Sequence, residues 1–269
     1  MPELDVPLER LRFGQTSRKD AWWAHPLVWS IFFLIGFTYL GVMIFFPYHY
    51  WSAPYLTPLA SPLFYGEGPH AIFGPDKPSW WPQQLPLIPG VFIALFPAGF
   101  RLSCYYYRGA YYKALWADPP ACAVGEPRTE YRGEAKLPLI LMNIHRYFLY
   151  FGIALVVFLT YDVVMATRFP VAPGSSETTF GIGLGTVIMA INVVFVALYT
   201  FSCHSFRHLV GGVVDIFSRS PVRKKAWDCV TCINKRHGNW AWFSLYTMCS
   251  TDLYIRLCGW GVIHDWRIF

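Results

Sequence analysis

Cysteine and histidine side chains gather late in the chain, in the segment Cys203-His204-x-x-x-His208. His204 and His208 are four residues apart, so a helix would place both imidazoles on one face, with Cys203 about 100° to one side. Imidazole nitrogens and thiolate sulfurs are common ligands of redox metals in proteins. The segment therefore predicts one of two things: histidines that hydrogen-bond to helix carbonyls, or part of a metal site.

The elements that must position these residues are long apolar segments. Apolar residues make up 55% of the 269 residues and charged residues 14%, with a mean hydropathy of +0.33. An average soluble domain has about 25% charged residues. This composition excludes a disordered chain, and the aperiodic Gly and Pro exclude a collagenous one. We predict an all-α polytopic membrane bundle with five transmembrane helices, in a single membrane domain over residues 1–269.

The five predicted spans approach or exceed about 20 residues, the length that crosses a hydrocarbon core of about 30 Å. They cover residues 27–46, 85–112, 137–166, 180–214 and 240–263. A long loop, 47–84, follows the first span. Loops 113–136 and 215–239 follow the second and the fourth.

The distribution of Lys and Arg predicts the orientation. The N-terminal arm carries Arg10, Arg12, Arg18 and Lys19, and the loops 113–136 and 215–239 are also basic. The other two loops hold only Lys77 and Arg168. Because basic residues concentrate on the cytoplasmic side, we expect a multi-pass protein of the cell membrane with a cytoplasmic N-terminus and an exoplasmic loop 47–84. The net charge of +6 then reflects topology and does not indicate nucleic-acid binding.

Several ionisable or thiol side chains fall inside the predicted spans, where a charge costs at least about 2.5 kcal/mol at the bilayer centre. They are Arg101, Cys104, Arg108, His145, Arg146, Cys203, His204, Arg207, His208, Cys249 and Asp252. Counting along each span places all of them in the cytoplasmic half of the bundle. Asp162 lies in the other half, where we expect it to cap a helix end or to pair with an interfacial base.

The predicted metal ligands are Cys104, His145, Cys203, His204 and His208, with Cys122, His237 and Cys249 in reserve. Two redox centres suit these donors. A bis-histidine haem b needs two facing imidazoles, whereas a Rieske-type [2Fe–2S] cluster needs two imidazoles and two thiolates. The cysteines at matching depth favour the cluster. The sequence spacing of soluble Rieske domains is absent.

A second cysteine motif, Cys229-x-x-Cys232, lies in the predicted loop 215–239 with His237 five residues further on. It resembles half of a zinc knuckle. A structural zinc site needs a second ligand pair at suitable spacing, and none follows. We therefore do not predict a zinc site there.

Four strings of this chain resemble those of a known family: RLSCYYYRGAYYKALW with PPACAV, LILMNIHRYFLYFG, SCHSFRHLVGG and STDLYIRL. The resemblance is to the membrane-anchor C subunit of actinobacterial succinate dehydrogenase, the single-chain, five-helix type of respiratory complex II. It covers most of the chain from about residue 85 onward, and the first span also fits.

The resemblance implies two soluble partners, namely an FAD-containing flavoprotein subunit that oxidises succinate and an iron–sulfur subunit with further clusters. Electrons would then cross the cytoplasmic half of this chain to menaquinone. Ordinary five-helix anchors hold two haems with histidines on four helices. Here the first span contains no histidine, and the fifth ends near His264 alone. The divergent class that this chain resembles most is associated with a Rieske-type [2Fe–2S] centre.

A quinone headgroup needs hydrogen-bond donors and an apolar or aromatic slot. The candidates at suitable depth are Tyr105, Arg108, Arg146, Tyr147, His237 and Trp240. We expect His237 to relay protons from the cytoplasmic side, since imidazole titrates near neutrality.

Two other functional classes are an ion-coupled transporter and an inert anchor. An ion-coupled transporter would use the intramembrane Arg, Asp and His as a path, but such proteins usually have repeated halves. An inert anchor would carry no coloured centre. We also expect the basic loops, including Arg223, Lys224 and Lys225, to dock the soluble iron–sulfur partner.

Overall fold

The computed structural model describes residues 11–66, 69–82, 89–128, 135–137, 139–172, 175, 177–212 and 214–269. The chain forms two compact units. One comprises Met1–Ile35 and Leu102–Asn143, and the other comprises Gly36–Arg101 and Ile144–Phe269. Arg10, residues 85–88 of the second predicted span and residues 129–134 of the first basic loop lie outside the described residues.

Helices make up most of the described chain. They are α1 (Ala24–Met43), α2 (Pro89–Ile93), α3 (Leu95–Leu102), α4 (Tyr105–Arg108), α5 (His145–Met165), α6 (Leu184–Phe201), α7 (His204–Gly211), α8 (Pro221–Asn234) and α9 (His237–Gly259). A π-helical segment, Gly109–Leu115, follows α4, and 3₁₀ turns at Leu139–Ile144 and Phe217–Arg219 precede α5 and α8. Two short antiparallel hairpins pair β1 (Trp51–Ser52) with β2 (Tyr55–Leu56) and β3 (Arg168–Pro170) with β4 (Thr178–Phe180).

Three helical segments of the described chain are long and apolar enough to cross a membrane: Ala24–Met43, Ile140–Met165 and Leu184–Phe201. They match the first, third and fourth predicted spans. The predicted helical membrane character is therefore confirmed, and the number of five spans stays a prediction.

The second predicted span is not one helix in the described residues. Between 89 and 115 the chain forms α2, α3, α4 and the π-helical segment. Pro89 and Pro97 each lack an amide donor, which limits helix continuity there. Cys104 has an extended backbone with φ −69° and ψ 134°, so it separates α3 from α4.

The fourth predicted span, 180–214, is also interrupted. Helix α6 ends at Phe201 and α7 begins at His204. Cys203 is extended, with φ −61° and ψ 141°, and the Ser202 hydroxyl donates to the Tyr199 carbonyl at 3.3 Å. A serine that bonds back to its own helix competes with continued backbone pairing. Ser202 and Cys203 therefore form a break between the helices, which we call the α6–α7 junction.

The fifth predicted span corresponds to α9, a continuous helix of 23 residues. It is too polar to count among the apolar spans, because it carries Ser244, Thr247, Ser250, Thr251, Asp252 and Arg256. Inside the larger unit α6 packs against both α5 and α9. Val156, Leu159, Val196 and Met248 form one buried cluster between these three helices.

Asp162 of α5 pairs with a base, His70, which was one of the two roles expected for it. Its Oδ1 lies 2.7 Å from His70 Nδ1, and its Oδ2 accepts a hydrogen bond from Ser61. His70 Nε2 lies 3.0 Å from the carbonyl oxygen of Pro54. All three side chains are buried. The pair ties the long loop after α1 to the C-terminal half of α5.

Asp252 does not share the depth of His204, so that expectation is wrong. It lies about 22 Å along α9 from His237, at 1.5 Å per residue. It accepts a hydrogen bond from Tyr39 Oη at 2.8 Å and one from Arg256 Nε at 2.9 Å. The Arg256 guanidinium also donates to the carbonyl of Met43 at the C-terminal end of α1, and to those of Phe46 and Tyr48 just after it. This buried ion pair joins α9 to that end of α1.

Candidate redox site at the α6–α7 junction

The closest cysteine–histidine contact joins α5 to the α6–α7 junction. His145, the first residue of α5, places Nε2 3.1 Å from Cys203 Sγ. Cys203 is 1% exposed and has an extended backbone between the two helices. At this distance the thiol and the imidazole can form a hydrogen bond to each other, or both can bind one metal ion.

A second pair of donors lies on α7. His204 and His208 are one turn apart, as the sequence predicted, and their Nε2 atoms are 3.0 Å apart. Both side chains are exposed in the isolated chain. A neutral ring is the form that accepts a hydrogen bond or binds a metal.

Four aromatic rings in successive contact connect α5, α3, α6 and α9. Phe100 lies parallel to His145, with ring centroids 4.7 Å apart and an angle of 6°. Phe100 also contacts Tyr199 at 5.3 Å, and Tyr199 lies parallel to His237 at 5.1 Å and 8°. We call His145, Phe100, Tyr199 and His237 the ring column.

Both end rings of the ring column, His145 and His237, contact the α6–α7 junction. His145 contacts Cys203, and His237 Nδ1 lies 2.7 Å from Ser202 Oγ. Asn234 Nδ2 donates to the Ser202 carbonyl at 2.6 Å. The junction is therefore fixed from α5 on one side and from α8 and α9 on the other.

Arg101 supports the ring column from α3. It is 4% exposed, and its guanidinium donates to Ser244 Oγ of α9 at 3.0 Å. The same guanidinium lies 5.1 Å from the centre of the Tyr199 ring. A desolvated cation over an aromatic face is stabilising by up to about 2 kcal/mol. Arg101 thus has a packing role that its place in a predicted span did not reveal.

A cavity of about 390 Å³ lies between α5 and α7. Its walls include Arg146 and Tyr150 from α5, and His204, Ser205, His208 and Leu209 from α7. Two predicted metal ligands and one predicted quinone residue therefore line one cavity.

The remaining predicted residues of the larger unit lie in different surroundings. Tyr147 is 64% exposed on α5. His237 is buried in the ring column, and Trp240 Nε1 donates to the Ile233 carbonyl at 3.1 Å. Cys249 Sγ lies 3.9 Å from the Gly36 carbonyl, more than three turns along α9 from His237.

Cys104, Tyr105, Arg108 and Cys122 belong to the smaller unit. Cys104 is 3% exposed and precedes α4, whereas Tyr105 is 58% exposed. The Arg108 guanidinium lies 5.1 Å from the centre of the Tyr105 ring. Cys122 is exposed, and its carbonyl accepts a hydrogen bond from Arg18 at 2.9 Å.

The half-knuckle motif stays apart from these donors. Cys229 and Cys232 are both exposed on α8, and His237 faces Ser202 and Tyr199 instead. The described contacts thus give no support to a zinc knuckle.

The donor types fit a metal centre in part. Two imidazole nitrogens that bind one tetrahedral ion at about 2.0–2.1 Å lie about 3.4 Å apart, close to the 3.0 Å between His204 and His208. Axial ligands on opposite sides of a haem iron would lie about 4 Å apart by the same bond lengths. Within the described ranges, however, no group of three or more His, Cys, Asp or Glu is arranged to hold a metal ion. The described residues bring candidate metal donors together only in pairs, namely His145 with Cys203 and His204 with His208.

Sequence reasoning missed Phe100, Tyr199 and Ser202. Phe100 and Tyr199 stand in apolar runs, where an aromatic residue is ordinarily core packing. Their stacking partners come from other helices, so no local spacing marks them. Ser202 precedes the Cys-His motif, and a serine at that place could have indicated the helix break.

Comparisons with known proteins are consistent with this membrane architecture. A family model described as "Actinobacterial succinate dehydrogenase subunit SdhC" matches residues 24–261. A chain of the solved "Mycobacterium smegmatis Sdh1 complex in the apo form" is similar, with 41% sequence identity and a TM-score of 0.83. The match covers 98% of this chain and 98% of that chain. No curated protein matches this sequence.

Proposed function

This chain belongs to the family of actinobacterial succinate dehydrogenase SdhC subunits, and from that premise we propose that it carries electrons as well as anchoring the enzyme. Its partners in that role are the flavoprotein subunit, which holds FAD, and the iron–sulfur subunit. Electrons from succinate would pass from the iron–sulfur subunit through a centre in this chain to menaquinone.

The observation that carries the proposal is the pairing of donors at the α6–α7 junction. A buried thiol faces one imidazole at 3.1 Å, and the next two histidines along the chain face each other at 3.0 Å. An inert anchor has no need for such donors at the end of an apolar helix. Each would cost free energy if it were desolvated without a partner.

The centre that suits these donors best is a Rieske-type [2Fe–2S] cluster. Its ligands would come from Cys104, His145, Cys203, His204 and His208, of which four bind iron. Such a cluster supplies a one-electron carrier. The protein's own contribution is orientation, because Phe100 holds the His145 ring from one face and Cys203 meets its edge. Haem b is the alternative, and the side-by-side arrangement of His204 and His208 favours it less.

For menaquinone, we propose a site among Tyr105, Arg108, Arg146, Tyr147, His237 and Trp240. Arginine and tyrosine would donate hydrogen bonds to the quinone carbonyls. His237 would relay protons from the cytoplasmic side, and its Nδ1 lies 2.7 Å from the Ser202 hydroxyl oxygen.

We propose an N-terminus on the cytoplasmic side of the cell membrane and five spans in all. The concentration of Lys and Arg in residues 219–236 supports this orientation. The same side would then present the α6–α7 junction to the iron–sulfur partner.

The test compares two activities of the purified complex. In a His145→Ala and His208→Ala double variant, menaquinone reduction should be lost, while succinate oxidation with a soluble dye should persist. His264→Ala, an exposed histidine near the C-terminus, is the matched control and should retain both activities. A double variant that keeps its quinone reductase activity and its metal would overturn the assignment.

A further inference from the structure

Arg146 places a positive charge where the membrane makes it costly. It is the second residue of α5, six residues beyond the start of the apolar segment Ile140–Met165. Within the part of the chain that the structure describes, its guanidinium forms no ion pair or hydrogen bond. A cation at this depth is stabilised when an anion or a polar headgroup meets it.

The side chain of Arg146 can reach the level of the lipid phosphates. The 26 residues of Ile140–Met165 extend about 39 Å at 1.5 Å per residue, against a hydrocarbon core of about 30 Å. A centred segment would put the Arg146 backbone roughly 5 Å inside the core boundary. The long side chain can extend from there to the phosphate layer.

The cavity beside Arg146 has both polar and apolar walls. Its polar walls come from Ser205, Tyr150 and the two histidines of α7, and Leu149 and Leu209 supply apolar walls. Its volume of about 390 Å³ suits a headgroup and the glycerol region of a lipid, not whole acyl chains. The chains would remain in the bilayer beside the two leucines.

We propose that this cavity binds the phosphate of an anionic phospholipid. The Arg146 guanidinium would bind two phosphate oxygens, which is the arrangement its planar fork favours. Ser205 Oγ would donate a further hydrogen bond. Basic pockets between transmembrane helices on the cytoplasmic side bind anionic headgroups in the same way.

Menaquinone, for which Arg146 is one of the six candidates proposed above, is the competing occupant, and electrostatics separates the two. With a lipid bound at Arg146, the quinone site would lie among the other five candidates. A quinone carbonyl can accept a hydrogen bond from Arg146 but cannot neutralise its charge, whereas a phosphodiester does both. The proposal goes beyond the electron-transfer function and depends only on Arg146 and Ser205.

The experiment uses the purified succinate dehydrogenase complex after removal of lipid by detergent. Phosphatidylglycerol or phosphatidylcholine is added back, and bound lipid is counted by native mass spectrometry alongside the thermal unfolding temperature. Wild type should bind phosphatidylglycerol in preference to phosphatidylcholine. Arg146→Gln should weaken phosphatidylglycerol binding about tenfold or more, since a charged hydrogen-bonding partner is lost. Arg146→Lys should weaken it less.

Arg219→Gln is the matched control, because Arg219 is an exposed arginine of the 3₁₀ turn before α8 and does not line the cavity. It should bind phosphatidylglycerol as wild type does. Should Arg146→Gln fail to assemble, Ser205→Ala provides the second variant, with a smaller loss of lipid binding expected.

Three results would overturn the proposal. The first is wild-type phosphatidylglycerol binding in both Arg146→Gln and Ser205→Ala. The second is equal protection by inorganic phosphate, which would indicate a site for free phosphate. The third is a raised quinone KM in Arg146→Gln with lipid binding unchanged, which would assign the cavity to quinone. Lipid counting and thermal unfolding do not depend on a metal centre, so these two readouts test lipid binding separately from the electron-transfer proposal.

Discussion

The imidazole of His145 meets the thiol of Cys203 at 3.1 Å, which fixes the start of α5 against the break between α6 and α7. This contact has a structural and a chemical consequence. It holds a buried cysteine that follows Ser202 in an extended conformation, and it places a thiol and an imidazole where one metal ion could bind both.

Replacement of Cys203 by serine separates these two consequences. Serine keeps the size of the side chain and can still hydrogen-bond to His145, but it is a poor ligand for iron. We expect menaquinone reduction to fall by at least about 100-fold, since even outer-shell changes at metal sites cost 10–100-fold. Assembly of the complex should persist. Cys232→Ser, an exposed cysteine on α8, is the control and should leave both properties unchanged. Full quinone reductase activity in Cys203→Ser would exclude Cys203 as a ligand.

The ring column predicts a difference between two substitutions of Tyr199. The hydroxyl is 3.5 Å from the Phe100 carbonyl, whereas the ring itself packs against Phe100 and His237. Tyr199→Phe should therefore keep the unfolding temperature and the ratio of quinone to dye activity close to wild type.

Tyr199→Ala removes the ring and should destabilise the complex by about 3–5 kcal/mol, as large-to-small changes in cores do. The loss should also lower the quinone activity relative to the dye activity, because both histidines of the ring column lose a supporting face. A thermal unfolding scan and the two assays test this. The positioning role would be contradicted if Tyr199→Ala unfolded earlier but kept the wild-type activity ratio.

The helical membrane architecture and the pairing of His204 with His208 could be predicted because both follow from local spacing. An uncharged run gives a span, and a four-residue separation gives one helix face. The His145–Cys203 contact was within reach because both residues were expected at one depth. The ring column was not, since Phe100 and Tyr199 meet only after α3 and α6 pack.

Asp252 shows where counting along a span fails. The sequence placed it with the histidines by counting along a fifth span set at residues 240–263. In the structure α9 begins at His237, and Arg256 pairs with Asp252 beside the C-terminal end of α1. The partner of a buried charge is set by tertiary packing, which spacing within one helix does not reveal.

The buried pair of His70 and Asp162 predicts that the stability of the complex depends strongly on both side chains. Asp162→Ala leaves His70 in a buried site without its carboxylate partner, and leaving a buried polar group unpaired costs about 1–3 kcal/mol or more. A double change of His70 and Asp162 to leucine should cost less than the sum of the single changes. Thermal unfolding of the complex measures all three variants. Additive losses would show that the two side chains do not act as a pair.

The exposed basic residues of α8 predict a docking surface for the iron–sulfur subunit. Reversal of charge at Arg223, Lys224 and Lys225 should release the soluble subunits from the membrane fraction, most strongly at low salt. Lys224 also bonds Asp228 on the same helix at 2.5 Å, so Lys224→Glu alone brings two acids together. The control reverses Arg168, which lies on β3 outside α8. Unchanged co-purification of all subunits at low and high salt would place docking elsewhere.

The central claim is that this subunit holds a redox centre at the α6–α7 junction, and iron and sulfide analysis tests it most directly. Partner clusters contribute equally to every variant, so the difference between complexes isolates this chain. We expect the His145→Ala and His208→Ala double variant to contain about two iron and two acid-labile sulfides fewer per complex than wild type, the content of one [2Fe–2S] cluster. If the double variant instead lacked one iron and a Soret band that wild type shows, the centre would be haem. Identical iron, sulfide and visible spectra in the two complexes would contradict the claim.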